Sequence, residues 1–365
     1  MTFASLRILA VSPVSGYGGN NTSIHRIRAL ESLGCTVDVI DSTLSGAVDS
    51  RFLRYRLANR LFRIGLPIRV PDLNHIGSRL LSAMARQRYD LLWLERVLTL
   101  APTVLSKLRD NYPETLIVGF SPDDMASRHN QTQQFLHSLP LYDIYLTTKT
   151  YNIQELQSLG CPGAMFIGNG YDPGTFRPLQ IEAEDEQRLG GDVGFIGSYE
   201  AERAEMLQFL ASQGLNVRVW GSDWQKMKKP SVNLRVERTP LFGDNFAKAC
   251  RAFKINLGFL RKMNRDLQTT RSVEIPACGG FMLAERTSEH LDLFQEGKEA
   301  EFFDSRHELL IKCRSYLANP SARRHIADNG YQRCLTSGYS NAARLAAVSP
   351  PLLAKLHQKC NRILT

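Results

Sequence analysis

Short apolar runs recur along the chain, set between stretches with helical spacing. In the first half, Leu6–Val11, Thr36–Ile40, Tyr89–Leu94, Thr115–Phe120 and Leu141–Lys149 read as strands. In the second half, Val193–Gly197, Asn216–Trp220, Asn233–Val236, Ile255–Leu260, Phe281–Ala284 and Glu301–Phe303 do the same. Helices are predicted over Thr22–Leu33, Thr103–Asn111, Ala201–Gln213, Phe246–Phe253 and Ser288–Phe294. Others start near Thr270, Arg306 and Ser321. Strands that alternate with helices predict parallel sheets covered by helices on both faces, an α/β chain. The acidic stretch Gln180–Gly191 reads as a linker or loop. Near the end, a helix over Asn341–Val348 should stop at Pro350-Pro351, and a last helix should run from Leu352 to Ile363. The expected division is a first domain over 1–178, a second over 179–340 and terminal helices over 341–365.

Composition narrows the class. The 365 residues are 43% hydrophobic and 22% charged, enough for two or three globular domains. The 7 cysteines are scattered with no C-x-x-C pair, which argues for free thiols and against a disulfide framework or a zinc site. No apolar run reaches the roughly 20 residues a membrane span needs, and Met1–Pro13 lacks the pattern of a signal peptide. The expectation is a cytoplasmic protein. A formal charge of +9 suits acidic partners: nucleotide-sugar diphosphates, lipid phosphates, an anionic membrane face or nucleic acid. No RNP, zinc-finger or KH signature supports nucleic acid.

Candidate chemistry gathers where strands end. The first strand runs into Ser15-Gly16-Tyr17-Gly18-Gly19-Asn20-Asn21. A dinucleotide fingerprint needs glycine where Asn21 stands, which argues against a nicotinamide or flavin site. Arg51–Arg69 holds six arginines and no acid. On a helix, Leu53, Leu57, Leu61 and Ile64 form one stripe, with Arg56, Arg60 and Arg63 opposite. Such a segment can rest on an anionic membrane, at its inner face, or pack as a core helix with a solvated basic side. Glu95, Asp123 and Asp124 follow strands whose carboxyl ends should face a cleft, with His129 shortly after. Asp124 is a candidate for acceptor contact, with helix capping as the equal alternative. Gly197 and Ser198 end a strand, and Arg203 opens the next helix within reach of a diphosphate or as an ordinary surface arginine.

The densest stretch is Asn264–Glu285. A polar turn carrying Asp266, Gln268, Thr269 and Thr270 leads into a helix with Arg271 and Glu274, closed by Gly279 and Gly280. Helix-end amides and Arg271 suit an anion, and the Glu274 carboxylate can accept two hydroxyl hydrogen bonds from a ribose. A helix cap with a solvated carboxylate is the plainer alternative.

Asp266-x7-Glu274 followed by Pro-Ala-Cys-Gly resembles the E-x7-E segment of retaining GT-B glycosyltransferases, with Asp in place of the first Glu. Arg271, Glu274, Ala277, Cys278 and Gly279 resemble the R-x-x-E-x-x-A-C-G core of the spore-maturation-type branch. Asn169 to Pro178, N-G-x-D-x-x-x-F-x-P, resembles the segment closing the first domain of family-four-type enzymes, and Gly18-Gly19 their acceptor-side loop. The resemblance implies two Rossmann-like domains facing across a cleft, with the terminal helices crossing back to the first. It implies transfer of a sugar, with retention, from a nucleotide-diphosphate donor to a glycan, lipid-linked or protein acceptor, as in cell-surface polysaccharide synthesis. No metal or further cofactor is expected. Donor contacts fall to Gly18, Gly19, Gly197, Arg203, Gln268, Thr269, Thr270, Arg271 and Glu274, with Arg261 as a further cation. Asp266 faces the sugar, and Asp266, Asp124 and Arg271 are the catalytic candidates. The alternatives are a non-catalytic nucleotide-sugar scaffold and a sugar-nucleotide epimerase.

Overall fold

Strand β1 (Arg7–Ser12) is buried at every position after its first. That burial on both faces marks a central strand of a parallel sheet. A computed structural model describes residues 2–16, 21–44 and 53–364. The chain divides into two compact units, one formed by Met1–Gly168 with Asn341–Thr365 and the other by Asn169–Ser340.

In the first unit the elements run β1, α1 (Thr22–Ser32), β2 (Thr36–Asp41), α2 (Leu53–Arg63), α3 (Ile76–Arg86), β3 (Leu91–Glu95), α4 (Pro102–Asn111) and β4 (Leu116–Ser121). They continue with α5 (Gln133–Ser138), β5 (Ile144–Thr147), α6 (Asn152–Ser158) and β6 (Ala164–Phe166). All strands are parallel, in the order β2-β1-β3-β4-β5-β6. Apolar clusters cover both faces of the sheet. The Asn21 that breaks the dinucleotide fingerprint has a structural task. Its side-chain oxygen caps α1 at the amides of Ser23 and Ile24, and its Nδ2 donates to the carbonyls of Pro13, Val14 and Gly16.

The second unit runs α7 (Ala183–Leu189), β7 (Gly191–Ile196), α8 (Ala201–Ser212), β8 (Val217–Trp220), β9 (Leu234–Val236), α9 (Gly243–Ala252) and β10 (Phe253–Gly258). It continues with α10 (Arg271–Ala277), β11 (Met282–Glu285), α11 (Ser288–Leu293), β12 (Glu301–Phe303), α12 (Arg306–Ala318) and α13 (Pro320–Thr336). The parallel strand order is β12-β11-β10-β7-β8-β9.

The structure corrects three expectations. The stretch read as a linker contains α7. Glu182 and Asp185 form a capping box, and the acids that suggested a loop sit in the first helical turn, where they complement the helix dipole. Lys248 ties Asp185 to α9 at 2.8 Å, and Leu189 is buried. The two terminal helices are one, α14 (Asn341–Leu364), which passes through Pro350 and Pro351. Pro350 has no N–H for the Ala346 carbonyl, and the Ser349 hydroxyl donates to that carbonyl instead at 2.9 Å. Leu345, Val348, Leu352 and Leu356 lock α14 into the first unit's core beside Ile8, Trp93 and Leu146. This packing outweighs a proline cost of about 3 kcal/mol. In α2 the inward residues are Ala58 and Phe62, while Leu57 is exposed on the same side as Arg56, Arg60 and Arg63, and Ile64, directly after the last helical residue, is exposed as well.

Candidate functional site

The chain builds β7, β8 and β9 outward in one direction, then returns to lay β10 on the other side of β7 and continues to β11 and β12. Neighbouring connections therefore diverge at the β7/β10 boundary. In open α/β sheets the crevice at the carboxyl ends of such strands is where ligands bind. Gly197 sits there. A Cβ on Gly221 would stand 1.9 Å from the Gly197 carbonyl oxygen, so the two loops leaving β7 and β8 approach backbone to backbone. Trp224 donates its indole N–H to that same carbonyl at 2.8 Å.

Two arginines converge on this boundary. Arg203, in the first turn of α8, donates to the Ser198 carbonyl at 3.2 Å and to the Phe259 carbonyl at 3.5 Å, tying the end of β7 to that of β10. It is 7% exposed, and its Nε is buried with no hydrogen-bond partner. Burial pulls its pKa down, with Glu200, Arg261, Asp266 and Glu285 as its charged neighbours. Arg271, the first residue of α10, donates its Nε to the Ile196 carbonyl at 3.4 Å, and its guanidinium lies 4.3 Å over the Phe246 ring. It also pairs with Glu274, one turn on.

Glu274 is 1% exposed. Arg271 takes its Oε2, whereas its Oε1 is buried with no hydrogen-bond partner. Gln268 is arranged similarly: Nε2 donates to Glu289 at 2.8 Å, and Oε1 is buried without a partner. Unmet buried polar atoms cost about 1–3 kcal/mol each; the unmet oxygens of Glu274 and Gln268 suit the hydroxyls of a polar ligand, and the guanidinium groups of Arg203 and Arg271 suit an anionic part.

The loop before α10 is held by a buried relay. The Thr269 amide donates to the Ser272 hydroxyl at 3.0 Å, and that hydroxyl lies 2.7 Å from His290 Nε2. His290 Nδ1 lies 2.6 Å from the Glu285 carbonyl. A carbonyl can only accept, so Nδ1 carries the proton and Nε2 accepts from Ser272. Burial pushes the His290 pKa down to about 4, which keeps the ring neutral at ordinary pH. Thr270 precedes α10 and makes no side-chain cap bond. The two closing glycines differ. Gly279 takes a left-handed φ of 74°, whereas Gly280 is needed for space, since a Cβ there would lie 2.7 Å from the Cys250 carbonyl oxygen.

Other expected residues lie apart from this cluster or are occupied. The Asp266 carboxylate is engaged in its own turn, accepting from Asn264 at 2.7 Å and from the Arg261 amide at 3.4 Å. Asp124 is fully buried in the first unit. It accepts from Ser127 at 2.5 Å and Asn152 at 2.8 Å, bracing its loop from within and facing no open surface. Glu95 is likewise internal, paired with Arg26 and bonded by Ser12 and Ser23. Burial raises its pKa, but Arg26 and the two hydroxyls outweigh that and hold the carboxyl below its usual range. Asp123 pairs with Arg96 at 2.7 Å. Gly18 and Gly19 lie outside the described residues.

Sequence reading missed Phe246, the platform under Arg271, and Glu285. The latter ends β11, where the strand-end rule points. Glu285 lines a cavity of about 350 Å³ with Arg203, Phe259, Leu260, Lys262 and Arg286. Burial raises its pKa. Among the described residues no group of three or more His, Cys, Asp or Glu side chains is placed to hold a metal ion. None of the described helices is long and apolar enough to cross a membrane.

Comparison with known proteins agrees with this layout. Residues 203–349 match the glycosyl transferase-like family. No curated protein matches the chain. Among solved structures, sucrose-phosphate synthase from Thermosynechococcus elongatus aligns with a TM-score of 0.66 at 13% identity, over 96% of this chain and 99% of that one. HepE of Anabaena, in complex with UDP and glucose, aligns at 0.63 and 12% identity over 96% and 100%. A glycosyltransferase from Rickettsia africae aligns at 0.62 and 11% over 96% and 99%. With two parallel six-stranded sheets the chain has the GT-B fold of these solved structures, and the segment that carries Arg203, Arg271 and Glu274 matches the glycosyl transferase-like family.

Proposed function

We propose that the protein moves a sugar from a nucleoside-diphosphate donor to a glycan, lipid-linked or protein acceptor, with retention and without a metal. The observation that carries this reading is Glu274, a buried carboxylate with one oxygen on Arg271 and the other without a partner, beside the β7/β10 boundary. That free oxygen is the acceptor for a ribose hydroxyl. Arg271 and Arg203 meet the diphosphate, with Arg261, half-exposed and 2.9 Å from Glu200, as a third cation. Gln268 offers its unmet oxygen to a further donor hydroxyl. Gly197, Thr269 and Thr270 supply close backbone approach, and Asp266 faces the donor sugar.

Chemically, the cations offset charge that grows on the departing diphosphate, a preorganised contribution of about 10²–10³ in rate per contact. The acceptor enters on the face the leaving group vacates. The R-x-x-E-x-x-A-C-G segment supports placement in the spore-maturation-type branch and, with it, retention. HepE binds UDP-glucose, which makes that compound the first donor to try. The same reading keeps a lipid-linked acceptor.

Calorimetric titration with UDP-glucose and a panel of other nucleotide sugars tests the binding half. Saturable binding of one donor, followed by its turnover with an acceptor, supports the reading. Binding without turnover over a broad acceptor panel supports a scaffold, and sugar interconversion with no acceptor supports an epimerase. No binding by any donor overturns the proposal.

A further inference from the structure

Helix α2 carries a surface that sugar transfer does not use. At about 100° per residue, Arg63, Arg56, Arg60 and Leu57 follow one another around its solvent side, with Ile64 directly after the last helical residue, while Ala58 and Phe62 face inward and are buried. Leu57 is 57% exposed, Ile64 71%, and Leu66, just past the helix end, 46%. No acidic residue lies on α2. Among the described residues, Arg56, Arg60 and Arg63 form no salt bridge, unlike the paired arginines of the second unit such as Arg218 and Arg286.

Single exposed apolar side chains occur elsewhere in this chain, as at Val232 and Ile311, and what marks an interaction surface is apolar side chains rimmed by charge. Here they stand on the same side as three unpaired cations. A helix lying in a lipid interface uses that arrangement: apolar tips enter the acyl boundary while adjoining guanidinium groups stay level with the phosphates. Nucleic acid would engage the arginines but leave Leu57 and Ile64 in water. We propose that the solvent face of α2, with Arg56, Leu57, Arg60 and Arg63 and the adjoining Ile64, docks on an anionic phospholipid surface. The occupant is a bilayer surface rich in acidic headgroups, and the charge complementarity and the adjoining apolar pair both select it. The docking is independent of the donor site in the second unit, although it fits a lipid-linked acceptor.

The test is cosedimentation of the full chain with vesicles of phosphatidylcholine alone or mixed with phosphatidylglycerol. The mixed vesicles should bind it, the neutral ones should not, and salt should weaken the binding. Arg56→Gln with Arg60→Gln and Arg63→Gln should weaken binding by roughly 100-fold, at about fivefold per arginine near such a surface. Leu57→Ser with Ile64→Ser should weaken it at low salt, where charge alone would still hold the protein. All five side chains are exposed, so both variants should melt as the parent does and bind nucleotide sugar unchanged. Equal pelleting with both vesicle types overturns the proposal. So does a Leu57/Ile64 variant that binds vesicles as the parent does, because charge alone would then explain the contact. A duplex DNA that displaces the parent and that the Leu57/Ile64 variant binds equally well would assign the arginines to nucleic acid. Loss of donor binding in the parent would sink the transfer reading and leave this one standing.

Discussion

Arg271 and Glu274 stand one turn apart on α10, and their ion pair uses only one oxygen of a carboxylate that is almost wholly buried. The other oxygen has been removed from water with nothing to receive from. A structural ion pair would close both ends, because an unmet buried acceptor costs about 1–3 kcal/mol. The half-finished pair is what a site waiting for a hydroxyl looks like.

Arg203 gives the first test of the leaving-group assignment. It bridges the carbonyls of Ser198 and Phe259 while keeping Nε unmet. Arg203→Lys keeps the charge and loses the fork. Turnover at saturating donor should fall about 10²–10³-fold, with thermal melting checked alongside. A variant that melts early yet keeps full kcat would make Arg203 a brace and nothing more.

The pH dependence of stability should report His290. Its pKa is near 4 in the folded protein against about 6.5 unfolded, so the unfolded chain binds the proton first. Stability from this group is fully present above about pH 6.5 and is lost as pH falls toward 4, amounting to about 2 kcal/mol by pH 5. Urea unfolding at pH 7 and pH 5 should show that loss in the parent, and His290→Gln should show a correspondingly flatter dependence.

Glu95 and Arg26 form a buried pair beneath the first strand. Glu95→Ala strands the guanidinium and should cost about 3–5 kcal/mol, while replacing both residues with leucine should cost much less. Denaturant midpoints of the single and double variants measure the difference. Equal losses would mean that the packing, not the charge, matters.

α14 should behave as part of the first unit's core. Leu352 is 1% exposed and lies beyond both prolines. Leu352→Ala should destabilise by about 2–5 kcal/mol, read from urea unfolding. A loss under 0.5 kcal/mol, the ordinary scatter of a surface change, would mean that the last half of the helix does not hold the core.

Most strands were legible because parallel sheets bury both faces, and β3, β4 and β5 contain no exposed position at all; the three-residue β6 was not. α10 was legible for a different reason: a polar turn, an Arg and a Glu one turn apart, and a glycine stop all agree. α7 was hidden because its capping acids look like a solvated linker. The passage of α14 through two prolines depends on apolar contacts distant in sequence, and local propensity carries no trace of them. α3 has no strong boundary signal, beginning after His75 in a left-handed conformation with no side-chain cap. Asp124 shows the limit for sites. Strand-end position put it in the right neighbourhood, but Asn152 and Ser127 decide which way its carboxylate points. The same holds for Leu57 and Ile64, whose apolar character pointed inward until Phe62 and Ala58 were seen to fill that side.

The most direct measurement is donor affinity of Glu274→Gln against the parent, by calorimetry with whichever nucleotide sugar the parent binds. Hydrogen bonds to a charged group are worth about 1.5–3 kcal/mol, so affinity should fall roughly 10- to 150-fold while far-UV dichroism stays unchanged. Equal affinity in a folded variant would contradict the assignment of that carboxylate to the ribose.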